Sequence, residues 1–162
     1  LLKDVDHLAG LDALLDVFPD ACIVQTHRDP LHALSSVAHL IYLLRQLRET
    51  SVDPMAHGRL VLDTWARWAD QAERVRRAAD PARFFDVSQQ DIQTDPVGTA
   101  QRIYHHFGLP VTEATRILWS QRVQNDPSAG HGPHPCQPAD FGFTASKVYA
   151  AVGAYYERYR GL

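Results

Sequence analysis

The sequence predicts an α/β layered fold in which a small parallel sheet is flanked by several long helices. Two short apolar stretches, residues 22–26 (CIVQT) and 83–88 (RFFDVS), have the length and bounding turns of buried strands. Longer stretches with apolar residues at helical spacing lie between and after them. Two or three strands are few for a complete parallel sheet, so we expect the chain to contain only part of the sheet of this fold.

Helices are predicted on both sides of the first strand. Residues 8–17 place leucines at helical spacing. After the strand, Asp29 is suited to cap a helix and Pro30 to be its first residue. This helix is expected to continue to about Arg48, and a second long helix is expected over residues 55–79.

Capping signals organise the second half of the chain in the same way. Asp95 and Pro96 begin a helix, and Gly108 ends it. The remaining expected elements are a helix over 112–123, a loop rich in glycine, proline and histidine over 125–142, and a final helix from Thr144 to about Arg160.

Composition favours one soluble globular domain over residues 1–162. The chain is 45% hydrophobic with a net charge of −3 and no dense basic stripe, so an extended nucleic-acid interface is not expected. Cys22 and Cys136 lie in no zinc-like spacing, which favours free thiols in a reducing compartment and therefore a cytoplasmic protein. The longest apolar run, within residues 37–44, is far shorter than the roughly 20 residues of a membrane span.

Arg28 is the first candidate for a ligand-binding residue. It follows a strand end and precedes a helix start, the position where parallel α/β sheets bind ligands. Its guanidinium suits a phosphate, and the Ser36 hydroxyl, two turns into the helix, could donate to the same anion. Alternatively, Arg28 pairs with a neighbouring carboxylate and Ser36 is a small residue in a tight helix contact.

Three stretches, in this order, resemble the C-terminal two-thirds of the bacterial-type sulfotransferase family. They are residues 18–36 (FPDACIVQTHRDPLHALSS), 84–110 (FFDVSQQDIQTDPVGTAQRIYHHFGLP) and 131–144 (HGPHPCQPADFGFT). The resemblance implies a P-loop-like three-layer fold and 3′-phosphoadenosine 5′-phosphosulfate (PAPS) as sulfuryl donor, with no metal. It also implies a small-molecule acceptor with a hydroxyl or amine, and it assigns Arg28 and Ser36 to the cofactor's 3′-phosphate.

The resemblance assigns catalytic roles to Lys3 and His7. They match the lysine and histidine of the family's Lys-Ser-Pro-x-His stretch, although Asp4 and Val5 replace the serine and proline. The lysine would offset charge on the leaving phosphate, and the histidine would take the acceptor's proton. Without the resemblance, Lys3 would be interpreted as a solvated charge and His7 as a residue at a helix start.

The chain also departs from the family pattern. Gln89 stands where a tyrosine is usual, and Pro133 and Pro135 stand where basic residues are usual. No glycine-rich loop for the 5′-phosphosulfate precedes Lys3, so we expect the domain to be truncated at its N-terminus, with its first strand and phosphosulfate loop missing. The 162-residue chain alone is then expected to be inactive or very weak.

The sequence also allows other interpretations. His131, His134 and Cys136 could suggest a metal site, but they lack a fourth ligand at a recognisable spacing. The stronger alternative is a non-catalytic α/β domain derived from the same fold, which binds a nucleotide weakly or serves a structural or interaction role.

Overall fold

The structure is a computed structural model that describes residues 2–4, 6–125 and 136–162. The chain divides into two compact units. The first comprises the described residues within 1–18, 29–78 and 134–161, and the second those within 19–28 and 79–133 together with residue 162. The expectation of a single domain over 1–162 stays a prediction.

The regular elements of the described chain are mostly helices, with two short strands among them. In chain order they are α1 (Leu11–Val17), β1 (Ile23–His27), α2 (Pro30–Gln46), α3 (Pro54–Ala78), β2 (Phe84–Ser88), α4 (Gln89–Thr94), α5 (Pro96–His106), α6 (Glu113–Gln124), α7 (Ala145–Ala151) and α8 (Gly153–Tyr159). Short 3₁₀ turns occur at Asp6–Leu8, Pro81–Arg83 and Pro138–Phe141.

The second unit contains a two-stranded parallel sheet. Ile23 of β1 pairs with Phe84 of β2, and the register runs to His27 opposite Ser88. Phe84 and Val87 of β2 are buried, whereas in β1 only His27 is buried and Val24 is exposed, so the prediction of a buried first strand is wrong. Both predicted strands are present, each with its start shifted by one residue.

The helices of the second unit begin at side-chain caps. The Asp95 carboxylate accepts the backbone N–H of Gly98 at the start of α5, as its position before Pro96 predicts. Gly108 adopts a left-handed φ of 64° just past the end of α5, where a side chain would be strained. The Ser88 hydroxyl accepts the N–H of Asp91 and starts α4, a helix that the sequence pattern did not predict.

The core of the first unit is formed by residues of α2, α3, α7 and the segment around Pro138–Phe141. Its buried members are Leu34, Ala38, Val61, Phe141, Phe143 and Val148. His57 of α3 is also buried, and its Nε2 donates to the Ala38 carbonyl oxygen at 2.9 Å. Its Nδ1 then accepts from Arg45 Nη1 at 3.2 Å, so the imidazole links α2 to α3 through both nitrogens.

Two helix predictions in the first unit need correction. The predicted final helix is two helices, because Val152 leaves helical geometry (φ −102°, ψ 30°) before Gly153, a poor helix former, begins α8. The predicted helix over 8–17 is the 3₁₀ turn Asp6–Leu8 followed by the shorter α1. Over the described ranges, no helix is long and apolar enough to cross a membrane.

Replacing Gly58 by alanine should destabilise the protein. A Cβ at this position of α3 would overlap the backbone carbonyl oxygen of Phe141. It would also lie 2.8 Å from the Cβ of Phe141. Because a backbone atom cannot rotate away, α3 or the Phe141 segment must shift, at a cost of about 1–3 kcal/mol. Urea unfolding should report this loss as a lower midpoint.

Gly153→Ala is the matched control for that substitution. Gly153 is also helical, but a Cβ there meets nothing within 4 Å. Alanine should therefore be neutral or stabilise the protein by up to about 1 kcal/mol. Equal midpoints for Gly58→Ala and the wild type would show that the contact with Phe141 is not tight.

Candidate functional site

Arg28 lies immediately after the last residue of β1. Its side chain is exposed. Within the part of the chain that the structure describes, Arg28 has no hydrogen bond and no ion pair. The alternative interpretation, in which Arg28 pairs with a neighbouring carboxylate, is therefore not supported by those residues. A solvated guanidinium at a strand end is chemically suited to bind an anion with two parallel hydrogen bonds.

Asp29, the next residue, has both carboxylate oxygens in hydrogen bonds. Oδ1 accepts the backbone N–H of His32 at 3.1 Å and thereby caps α2. Oδ2 accepts the hydroxyl of Tyr149 at 2.7 Å. This hydrogen bond, with smaller contributions from burial and from the charge of Asp29, raises the pKa of Tyr149 to about 12. The phenol therefore stays protonated and remains a donor at physiological pH.

Ser35 and Ser36 have different surroundings although they are neighbours on α2. The Ser35 hydroxyl is buried and donates to the Leu31 carbonyl oxygen of its own helix at 2.6 Å. Ser36 is half-buried, and its hydroxyl has no hydrogen-bond partner among the described residues. Of the two serines, Ser36 is the one whose hydroxyl is available to a ligand.

Lys3 and His7 lie at the beginning of the first unit. Lys3 is exposed in an irregular segment, and His7 is half-buried in the 3₁₀ turn Asp6–Leu8. Ser36 belongs to the same unit, whereas Arg28 belongs to the second. The structure therefore places Lys3, His7 and Ser36 in the first unit and Arg28 in the second, and it describes the contacts of each residue within its own unit.

A partly buried ionisable pair in the sheet was not predicted from the sequence. His27, only 4% exposed, has its Nε2 at 2.8 Å from Oδ1 of Asp86 on β2. The pair fixes the end of β1, the residue before Arg28, to the neighbouring strand. Its signal in the sequence is an aspartate in the middle of an apolar strand, but the histidine partner depends on the strand register.

The remaining residues that the sequence analysis names are the departures from the family pattern and the candidate metal ligands. Gln89, at the position of the family's usual tyrosine, is the half-buried first residue of α4. Pro133, Pro135, His131 and His134 lie outside the described residues. Over residues 2–4, 6–125 and 136–162, no group of three or more potential metal ligands occurs.

Comparison with known proteins gives one family. A model described as the sulfotransferase family matches residues 1–113. Curated relatives include the omega-hydroxy-beta-dihydromenaquinone-9 sulfotransferases Stf3 of Mycobacterium bovis and Mycobacterium tuberculosis. Each is 30% identical over 112 residues, which is 67% of this chain and 28% of the relative. The chain thus spans less than a third of the length of these curated relatives.

Solved structures give the same result. The crystal structure of sulfotransferase STF9 from Mycobacterium avium has a TM-score of 0.88 at 26% identity, over 98% of this chain and 41% of that one. Sulfotransferase STF1 from Mycobacterium tuberculosis has a TM-score of 0.74 at 31% identity, over 94% of this chain and 39% of that one. Together with the parallel sheet, these likenesses confirm the predicted P-loop-like α/β fold.

Proposed function

This chain belongs to the sulfotransferase family, and from that we propose that the protein transfers a sulfuryl group from PAPS to a hydroxyl or amine of a small-molecule acceptor. The main supporting observation is the exposed Arg28 at the end of β1, which has no ion-pair partner among the described residues. An arginine in this state can donate charge-assisted hydrogen bonds to a phosphate.

We assign Arg28 and Ser36 as ligands of the 3′-phosphate of PAPS. The start of α2 offers few other donors, because Pro30 has no N–H and the His32 N–H is bonded to Asp29. A phosphate near this segment therefore depends mainly on side chains. Arg28 supplies the charge, and the Ser36 hydroxyl, which has no partner in the described ranges, supplies a neutral donor.

Lys3 and His7 complete the proposed reaction. The acceptor oxygen or nitrogen forms a bond to sulfur while the bond from sulfur to the phosphate oxygen of PAPS breaks. His7 takes the proton of the acceptor. Lys3 stabilises the charge that develops on the leaving product, adenosine 3′,5′-diphosphate (PAP). The exposure of Lys3 and the partial burial of His7 leave both side chains accessible to ligands.

The names of the curated relatives support a choice of acceptor class to test. Their names specify sulfation of an omega-hydroxy-beta-dihydromenaquinone, a hydroxylated small molecule. We propose a hydroxyl-bearing acceptor as the first class to test, with amines as the second. Because acceptor pockets are built from loops that vary among members of a fold, the individual compound does not follow from the family.

A sulfate-transfer assay on the full-length protein tests this proposal. Labelled PAPS and a panel of alcohols, phenols, quinols and amines should give a sulfated product, and calorimetry should detect PAP binding. Absence of both product and PAP binding would overturn the proposal. Binding of PAP without transfer to any acceptor would favour the alternative of a non-catalytic nucleotide-binding domain.

A further inference from the structure

A hydrogen bond between distant parts of the sequence joins α7 to the start of α2. The Tyr149 hydroxyl donates to Asp29 Oδ2 at 2.7 Å across 120 residues. The Tyr149 ring stacks on Tyr156 of α8, with centroids 4.2 Å apart and an angle of 7° between the planes. The stacking fixes the plane of the phenol, and the hydrogen bond fixes the direction of its hydroxyl.

The acceptor of this bond is a carboxylate that could interfere with anion binding. Asp29 follows Arg28 directly, so their Cα atoms are about 3.8 Å apart. A free carboxylate there would attract the guanidinium and repel an incoming phosphate. Both Asp29 oxygens are instead hydrogen-bonded, one to the His32 N–H and the other to Tyr149. No described carboxylate, Asp29 included, forms an ion pair with Arg28.

We propose that Tyr149 is a positioning residue for binding of the 3′-phosphate, because its hydroxyl holds the Asp29 carboxylate and so leaves the Arg28 guanidinium available to the anion. This inference rests on the proposed role of Arg28. Tyr149 is not assigned a contact with the nucleotide. It acts through Asp29, which it bonds directly, on the residue one peptide bond away.

Tyr149→Phe is the direct test, made in the full-length protein. The substitution removes the hydroxyl and keeps a ring that can stack on Tyr156. The probes are PAP and adenosine 5′-phosphate, which lacks the 3′-phosphate, titrated by calorimetry. We expect PAP to bind about three- to tenfold more weakly, the range for loss of one hydrogen bond, and the affinity for adenosine 5′-phosphate to be unchanged.

Tyr156→Phe is the matched control. It removes a hydroxyl from the other ring of the same stack, and the Tyr156 hydroxyl has no hydrogen-bond partner among the described residues. This variant should bind both nucleotides as the wild type does. An equal loss of PAP affinity in Tyr156→Phe and Tyr149→Phe would overturn the inference, because the effect would then come from the stack and not from Asp29.

A second substitution separates positioning from a general structural role. Asp29→Ser keeps a side-chain cap for α2 but removes the carboxylate. In the Asp29→Ser background, Tyr149→Phe should cause no further loss of PAP affinity, because the carboxylate that the Tyr149 hydroxyl holds is absent. The same loss in both backgrounds would overturn the inference.

Arg28→Ala completes the set and distinguishes the two proposals. If it abolishes the preference for PAP while Tyr149→Phe leaves that preference intact, the role of Tyr149 fails and the role of Arg28 stands. If Arg28→Ala itself keeps the preference, the proposed phosphate site fails, and the inference about Tyr149 fails with it.

Discussion

Replacing Arg28 by alanine is expected to abolish the preference of the full-length protein for PAP over adenosine 5′-phosphate. Arg28 is exposed and unpaired among the described residues, so its proposed contacts with the 3′-phosphate are charge-assisted and have no competitor in that part of the chain. Where the bound nucleotide buries such a charge pair, loss of one side costs about 2–5 kcal/mol of binding free energy. At about 1.4 kcal/mol per tenfold change, PAP should bind tens to thousands of times more weakly.

Ser36→Ala is the comparison for this effect. Its hydroxyl is a single neutral donor, so its removal should cost only about 0.5–1.5 kcal/mol. Calorimetric titration of both nucleotides into the two variants gives the order directly. Full discrimination by Arg28→Ala, or a larger loss for Ser36→Ala, would contradict the assignment of Arg28 to the 3′-phosphate.

Replacing His7 by alanine should lower the rate of transfer and leave PAP binding nearly unchanged. A positioned general base contributes about 10²- to 10⁴-fold to such reactions, so kcat should fall by that factor. Single-turnover measurements of sulfate transfer isolate the chemical step.

His105→Ala is a suitable control for His7→Ala. His105 is an exposed histidine on α5, in the second unit, and has no assigned role in binding or catalysis. Its replacement should leave kcat as in the wild type. If His7→Ala retains the wild-type kcat, another group removes the acceptor proton and the proposed role of His7 is wrong.

Local chemistry made the main helices predictable. Asp29 and Pro30 start α2 as the sequence indicates, and Asp95, Pro96 and Gly108 bound α5 as expected. These signals depend on a few neighbouring residues, because a cap needs only one side chain and the N–H groups of the next turn. Both strands were predictable for a similar reason, as each is a short apolar segment between turns.

Features that depend on weak local signals were missed. The six residues of α4 have too few apolar positions to establish a helical period, so its cap at Ser88 was not recognised. The break at Val152 has no signal in the hydrophobic pattern, because apolar residues keep helical spacing through it. Helix propensity alone does not determine the residue at which the helical backbone hydrogen bonds are interrupted.

Contacts between distant residues could not be predicted at all. The pair of His27 and Asp86 requires the register of two strands, and the bond from Tyr149 to Asp29 spans 120 residues. By contrast, the assignments of Arg28 and Ser36 came from a family resemblance, and they remain predictions until nucleotide binding is measured. The surroundings of Arg28 that support its assignment became visible only in the structure.

The pairing of β1 with β2 has a consequence for the order of folding. Residue 23 must meet residue 84, so the strands can join only after a long loop closes, at an entropic cost that local contacts do not have. Helices α2 and α3 are neighbours in sequence and can associate earlier. During refolding, amide protection in β1 and β2 should therefore appear after that in α2 and α3. Until the strands pair, both edges of each strand are open to strands of another chain, which makes this interval prone to aggregation.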